Sequence, residues 1–204
     1  TRTINKKYGP HGIDLIKRND GRYQLGVINH YPNESIEMFE MIKKENSWYM
    51  VWRGCIDVPH EFYFNDISLR KNGSLYASHM YHRDITLIEW LFVSLIKSNT
   101  GFLVEWIENK FKKIDGSDGS GPNGIALDED SNIIYINYNQ GDSITKFDLS
   151  LNKKLVKKFI EAPDNPYIDG NDIWITSLDF QPNDVGDCQF KKKLFSTIFY
   201  LSIR

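Results

Sequence analysis

The sequence has few of the residues that build metal or disulfide frameworks. Only two cysteines, Cys55 and Cys188, occur among 204 residues, and their spacing fits no zinc motif. The longest apolar run, residues 91–96, is far shorter than the roughly 20 residues that cross a bilayer. GxSxG, HExxH and P-loop motifs are absent, so serine hydrolase, zincin and nucleotide-triphosphatase functions have no support.

Neither sign of charge dominates. The chain has 25 basic and 27 acidic residues, for a net charge of -2, which gives no broad electrostatic reason to expect nucleic acid as a partner. We expect a small molecule or another protein instead. With 41% hydrophobic residues, the chain is able to bury one substantial core.

A short pattern recurs four times: a polar head, an apolar alternation, a tight turn and a second strand. The copies are HGIDL from His11, NDISL from Asn65, NGIAL from Asn123 and the more degenerate DNPYIDGNDIWITSL from Asp164. In each copy the alternation ends at Gly, Asn or Asp residues, which predicts a pair of antiparallel strands.

Two further strand-like segments follow the first and third pairs, so each unit predicts a four-stranded antiparallel sheet. The heads recur about every 40 to 60 residues, close to the roughly 40 to 50 residues of a propeller blade. We therefore predict an all-β fold: a partial β-propeller of about four blades over residues 1–187, with one inserted helix. Residues 188–204 lose the blade register and are predicted to form a divergent tail that packs irregularly.

In a propeller the innermost strands run along a central channel, so the four heads are expected to face one another. Their side chains offer mainly amide and carboxylate oxygens, which suit a hard cation such as calcium better than zinc. Taken singly, Asn and Asp at strand starts are more often turn caps. Their common phase in four copies favours a shared metal site. The head residues are His11, Asn65, Asn123, Asp164 and Asn165.

Two of the five histidines are candidates for catalysis. His11 occupies a head, and His30 ends the returning strand of the same copy, where it would reach the same end of the channel. One histidine that titrates near neutrality accepts a proton from water, while a second holds the first in the required tautomer. His60, His79 and His82 are interpreted as surface or hydrogen-bonded residues.

Residues 84–98 depart from the strand alternation and predict a helix after the second strand pair. One interpretation is a helix that packs on the fold through an amphipathic face. The other is a lid or lipid-surface element, because Trp90, Leu91 and Phe92 would suit an interface.

The motifs resemble those of the paraoxonase and arylesterase family of six-bladed propellers, which is more distantly related to gluconolactonases and strictosidine synthase-like proteins. The similarity covers roughly residues 8–177. It rests on motifs in the family's order: PHGIDL at 10–15, VINHYPNESIEMFE at 27–40, NDI at 65–67, NGIAL at 123–127 and DN at 164–165.

The resemblance implies Ca²⁺ as the cofactor. The side chains that match ligands of the family's catalytic calcium are Asn65, Asn123, Asp164 and Asn165. Asp66 and the backbone carbonyl of Ile13 match ligands of its second, structural calcium. His11 and His30 match the proposed water-activating dyad. The substrates implied are lactones and aryl esters, residues 84–98 match a helix able to contact lipid, and the location implied is extracellular or membrane-associated.

The sequence also departs from this family. Only ten residues precede His11, and none matches the acidic calcium ligands that the family supplies from before its HG motif. A ring of six blades takes on the order of 300 residues. We therefore expect a fragment, a truncated product or one piece of a larger chain. Two hypotheses remain: a calcium-dependent lactonase or arylesterase, and a non-catalytic propeller fragment that serves as an interaction scaffold or is a decayed relative.

Overall fold

The computed structural model describes residues 8–170, 172–178 and 196–202, which form four antiparallel sheets. The first sheet contains β1 (Pro10–Lys17), β2 (Tyr23–Asn29), β3 (Ser35–Lys44) and β4 (Ser47–Asp57). The second contains β5 (Phe64–Leu69), β6 (Leu75–His79), β7 (Phe102–Ile107) and β8 (Lys110–Lys113), with helix α1 (Leu87–Leu95) between β6 and β7. The third contains β9 (Pro122–Asp128), β10 (Ile133–Tyr138), β11 (Ser143–Asp148) and β12 (Lys153–Phe159). The fourth contains β13 (Pro163–Asp169), β14 (Asp172–Leu178) and β15 (Ser196–Ser202).

Each sheet packs face to face on the next, as the blades of a propeller do. One apolar core joins the first and second sheets around Ile28 and Phe64. A second core joins the second and third sheets around Leu103 and Phe147, and a third core brings Ile173 of the fourth sheet onto the third. The first strands β1, β5, β9 and β13 contact one another in that order. The predicted propeller architecture is confirmed.

Strands in the middle of this stack are buried on both faces. Every residue of β5, β6 and β10 is buried, which explains why Ile133–Tyr138 reads as a nearly continuous apolar run instead of a strict alternation. The hairpin turns fall where the repeat predicts them. Gly21, Gly73 and Gly170 adopt positive φ angles of 82°, 94° and 59° at these turns, a conformation that glycine adopts without steric cost.

The predicted helix forms at Leu87–Leu95, between the second and third strands of the second sheet. Thr86 caps it: its side chain accepts a hydrogen bond from the Glu89 amide, and the Glu89 carboxylate accepts one from the Thr86 amide. No residue of α1 is buried, and only Val93 and Ser94 are partly covered, so the helix makes limited contact with the described sheets. The residues that the structure describes contain no helix long and apolar enough to cross a membrane.

The tail requires a correction. The expectation of irregular packing is wrong for Ser196–Ser202, which form β15 and pair with β14 along its whole length, from Leu178 opposite Ser196 to Asp172 opposite Ser202. This segment, STIFYLS, is rich in β-branched and aromatic residues, which favour a strand beside an available edge. The rest of the predicted tail, residues 188–195 and 203–204, lies outside the described residues.

One face of the first sheet has no other sheet against it among the described residues. Ile13, Leu15 and Met50 are 61%, 54% and 58% exposed, and Trp52 is 44% exposed beside them. Paired positions across the sheet bring Leu15, Leu25, Phe39 and Trp52 onto this face. It is the side turned away from the core shared with the second sheet.

Candidate active site

The four heads converge at one end of the channel. The backbone of Gly12, directly after His11, approaches the second head so closely that a Cβ there would lie 2.5 Å from the carbonyl oxygen of Asn65. The backbone of Gly124 approaches the fourth head in the same way, and its Cβ would lie 2.2 Å from the carbonyl oxygen of Asp164. The glycines in the HG and NG motifs therefore allow neighbouring inner strands to touch.

These inner strands enclose a cavity of about 870 Å³. Five of the predicted site side chains line it: His11, Asn65, Asp66, Asp164 and Asn165. The Asn123 side chain is half-buried and hydrogen-bonds the carboxylate of Asp164, which lines the cavity. Ile13 also borders the cavity, with its side chain exposed.

Carboxylates on the inner strands link each blade to the next. Asp14 Oδ2 accepts a hydrogen bond from the Leu69 amide at 2.7 Å, and Asp66 Oδ2 accepts one from the Ile125 amide at 2.8 Å. Burial is the main cause that raises the pKa of Asp66 to about 7, and the charges of Asp14 and Asp164 act in the same direction. Hydrogen bonds from two backbone amides act in the opposite direction. Burial also raises the pKa of Asp164, which His11 and Asn123 partly offset.

His11 and His30 form the predicted pair. His11 Nδ1 lies 2.8 Å from His30 Nε2, and the two rings meet edge to face with centroids 5.0 Å apart. His30 stacks on Tyr63 at 4.6 Å, which holds its ring plane. Partial desolvation lowers the pKa of His11, as does the neighbouring His30, while Asp164 and Glu34 act in the opposite direction. A lowered pKa keeps the His11 imidazole neutral near pH 7, the state that a general base requires.

Glu34 extends this pair and was not foreseen from the sequence. Its carboxylate lies 2.9 Å and 3.0 Å from His30 Nδ1, and it also accepts a hydrogen bond from the Phe64 amide at 3.3 Å. Because the Glu34 carboxylate only accepts hydrogen bonds, neutral His30 carries its proton on Nδ1. His30 Nε2 then accepts a hydrogen bond from the N–H at His11 Nδ1. His11 Nε2 then carries a lone pair. The signal available in the sequence was the spacing of four residues from His30, in the loop that returns to the channel.

Two further residues hold the heads in place from the second strand of a neighbouring sheet. The Ser78 hydroxyl on β6 hydrogen-bonds the backbone carbonyl of Asn123, and the Asn137 amide on β10 hydrogen-bonds that of Asp164. Both side chains are fully buried. Both lie within largely apolar strands, so the sequence periodicity did not predict that they contact the heads.

The head side chains suit calcium by their chemistry. Asn65 Nδ2 donates to the Met80 sulfur at 3.4 Å, which leaves the amide oxygen for a cation. Asp66 is a buried carboxylate whose pKa is raised mainly by that burial. Within the described part of the chain, no three His, Cys, Asp or Glu side chains cluster as a metal site, so a cation here would need amide and backbone oxygens in addition to the carboxylates of Asp66 and Asp164.

The remaining predicted histidines behave as structural or surface residues. His79 is buried, and its Nδ1 accepts a hydrogen bond from the Tyr63 amide at 3.1 Å. Burial lowers its pKa to about 4. His60 is exposed, 3.7 Å from the Asp84 carboxylate.

Sheets stacked around a channel, with polar heads at one end of the inner strands, define a β-propeller with a channel-mouth site. The chain belongs to the arylesterase family, whose model matches residues 2–185. No curated protein matches the sequence.

The fold is similar to that of three solved propeller-like structures. A luciferin-regenerating enzyme aligns with 98% of this chain and 60% of its own, at 17% identity and a TM-score of 0.53. A protein of unknown function from Desulfotomaculum acetoxidans aligns over 95% and 55% of the two chains (13% identity, TM-score 0.51). A putative gluconolactonase aligns over 81% and 57% (14% identity, TM-score 0.50). The chain thus spans little more than half the length of the structures it matches, and these similarities concern the fold alone.

Proposed function

We propose that this chain carries the catalytic face of a calcium-dependent hydrolase of lactones and aryl esters. The observation that carries the proposal is the line of hydrogen bonds from Glu34 through His30 to His11, which ends at a cavity lined by oxygen-bearing heads. Family membership supports the substrate class, because arylesterases are hydrolases of esters.

The residues proposed to hold calcium are the head side chains together with Asp66 and the carbonyl of Ile13. Bound there, calcium would polarise the substrate carbonyl and stabilise the developing oxyanion. The head side chains are Asn65, Asn123, Asp164 and Asn165.

The chain's own residues move the proton. Glu34 fixes the His30 tautomer, and His30 in turn directs the lone pair of His11 Nε2 toward the cavity. His11 Nε2 takes a proton from water as the water oxygen bonds to the carbonyl carbon. The bond to the leaving oxygen then breaks, and that oxygen recovers the proton from His11, so the products are an acid and an alcohol.

Helix α1 is proposed to contact a lipid surface near this face. Its side chains are unusually exposed for an apolar segment: Leu87 at 70%, Ile88 at 80% and Leu95 at 82%. An exposed apolar patch of this kind is typical of an interaction site.

Hydrolysis of phenyl acetate and of a δ-lactone, with calcium and with a chelator, tests the proposal. We expect turnover that the chelator abolishes and added calcium restores. The competing hypothesis, a non-catalytic scaffold, draws on the exposed apolar face of the first sheet. It requires that neither substrate be hydrolysed under any of these conditions.

A further inference from the structure

A second cavity, of about 380 Å³, lies between the second and third sheets, away from the channel. The segment after α1, the linker before β9 and the outer strands β11 and β12 form its walls. It shares no lining residue with the channel cavity. Both sheets that border it are described in full. We call it the interblade cavity, and the lining residues that matter below are Lys97, Ser120, Ser143, Thr145, Lys154 and Lys157.

Three hydroxyl groups of this wall have no hydrogen-bond partner in the part of the chain that the structure describes. The side-chain oxygens of Ser120, Ser143 and Thr145 are buried, and none makes a hydrogen bond with the described residues. A buried hydroxyl without a partner costs about 1–3 kcal/mol, so three in one wall require an explanation. Ser143 and Thr145 lie two residues apart on β11 and so present their side chains to the same face of the sheet.

The same wall carries an excess of positive charge. Partial burial lowers the pKa of Lys154, the nearby Lys157 lowers it further, and Asp118 opposes them. The carboxylate of Asp118 already binds Lys113 at 2.6 Å, whereas the Lys154 ammonium group donates to the Asp118 backbone carbonyl and lies 4.9 Å from the centre of the Tyr138 ring. Lys97 forms an ion pair with Asp142, the acidic residue in the lining. An anion in the cavity would relieve the repulsion between Lys154 and Lys157.

From this geometry we infer that the interblade cavity binds the phosphate group of a phosphate ester. A phosphate offers several acceptor oxygens, which match three hydroxyl donors and the lysine ammonium groups, and lysine binds phosphate as a point charge. The cavity is also larger than a phosphate ion, and one apolar side chain in its lining would suit the organic part of an ester. Phe159 is 82% exposed there. Gln140 Nε2 donates to Ser94 Oγ at 2.8 Å and holds the C-terminal half of α1 beside the cavity.

The test measures binding of glycerol 3-phosphate and of inorganic phosphate by calorimetry. We expect the unchanged chain to bind at least one of these probes and not glycerol. The Lys154→Gln/Lys157→Gln variant should bind about a hundredfold more weakly, because each of the two lost charge-assisted hydrogen bonds is worth roughly a factor of ten. The matched control, Lys110→Gln/Lys112→Gln on β8, changes the net charge equally and should retain binding.

Thr145→Val separates a ligand-binding role from a structural one. Because the Thr145 hydroxyl has no partner among the described residues, its removal should leave the free energy of unfolding unchanged or raise it. Binding of the phosphate probe should nevertheless fall about fivefold. Failure of both probes to bind, or equal losses in the two lysine variants, overturns the inference, as does unaltered probe binding in Thr145→Val.

Vesicles distinguish the two sources of a phosphate ester. If the ligand is a lipid headgroup, association with phosphatidylcholine vesicles that contain phosphatidic acid falls in Lys154→Gln/Lys157→Gln. If the ligand is a soluble ester, only binding of the soluble probe falls. Either result supports phosphate binding. Hydrolysis of phenyl acetate should be unaffected by these variants, so the inference stands or fails separately from the proposed catalysis.

Discussion

The carboxylate of Glu34 lies 2.9 Å from Nδ1 of His30, on the opposite side of the imidazole from His11. Glu34 is itself held in place, since its Oε1 accepts from the Phe64 amide and its backbone carbonyl accepts from the Val58 amide. The first and second sheets therefore cooperate to orient a histidine pair that belongs entirely to the first.

Glu34→Gln should lower kcat for phenyl acetate by about 10²-fold with little change in KM, because the amide still accepts hydrogen bonds but no longer stabilises a positively charged histidine pair. Glu34→Asp should recover part of the loss. Glu61→Gln, an exposed glutamate, is the matched control. Equal kcat in Glu34→Gln and the unchanged chain would show that Glu34 does not act through the histidines.

Calcium binding should depend on Asp164 and not on His11. Asp164→Ala removes the carboxylate among the heads and should abolish calcium binding, whereas His11→Ala should spare it and affect turnover alone. Titration calorimetry measures both, with Asp169→Ala as the control at an exposed aspartate of the same strand. We expect weak binding to the unchanged chain. Retained binding in Asp164→Ala, or its loss in His11→Ala, would mean that the ligands are wrongly assigned.

His79 should make stability depend on pH. Its pKa is about 4 when folded, below the ordinary value of 6.5, so the unfolded chain binds more protons between these values. The contribution of neutral His79 to the free energy of unfolding is therefore complete above pH 6.5. It decreases by about 3 kcal/mol as the pH falls towards 4. Urea unfolding of His79→Asn should show a smaller decrease over this range than the unchanged chain. His60→Asn, at an exposed position, should keep the full decrease; identical slopes in all three proteins would exclude His79 as the source.

Substitutions on α1 should leave stability nearly untouched. Leu95 is 82% exposed and Phe92 is 60% exposed, so Leu95→Ser and Phe92→Ser should change the free energy of unfolding by less than about 0.5 kcal/mol. Association with phosphatidylcholine vesicles should fall in both variants, as measured by co-sedimentation. A large loss of stability would instead identify α1 as a packing helix.

Gly12→Ala and Gly124→Ala should each destabilise the fold by about 1–3 kcal/mol, because the added methyl group would meet the backbone of the neighbouring blade. Gly21→Asn is the comparison: it lies in an open turn with a positive φ angle that asparagine tolerates, and should cost less than about 1 kcal/mol. Thermal or urea unfolding checks all three. Wild-type stability in Gly12→Ala would mean that the first two blades do not approach so closely.

The sequence predicted the repeated strands and heads, whereas several contacts that join one copy to the next were not apparent from it. His11, Asn65 and Asn123 recur in the same phase of successive copies, so their convergence followed from the propeller geometry alone. Glu34 lies in a loop between copies, and its contact with Phe64 joins residues 30 positions apart. Ser78 and Asn137 look like ordinary members of buried strands until the neighbouring sheet is in place. The strand at Ser196–Ser202 has favourable residues but stands outside the register of the repeat, so its partner was not apparent.

The dipeptides His11-Gly12 and Asn123-Gly124 combine two separate constraints. Under the proposed function, the polar residue serves the chemistry at the channel mouth, whereas the glycine is required by the distance between adjacent backbones, which is too short for a Cβ. A divergent relative that had lost hydrolysis would still be selected to keep both glycines, for as long as its blades remained in contact. Surveys of such relatives should therefore score the two positions separately: the glycine indicates whether adjacent blades are in contact, and the residue before it indicates whether the proposed hydrolysis is retained.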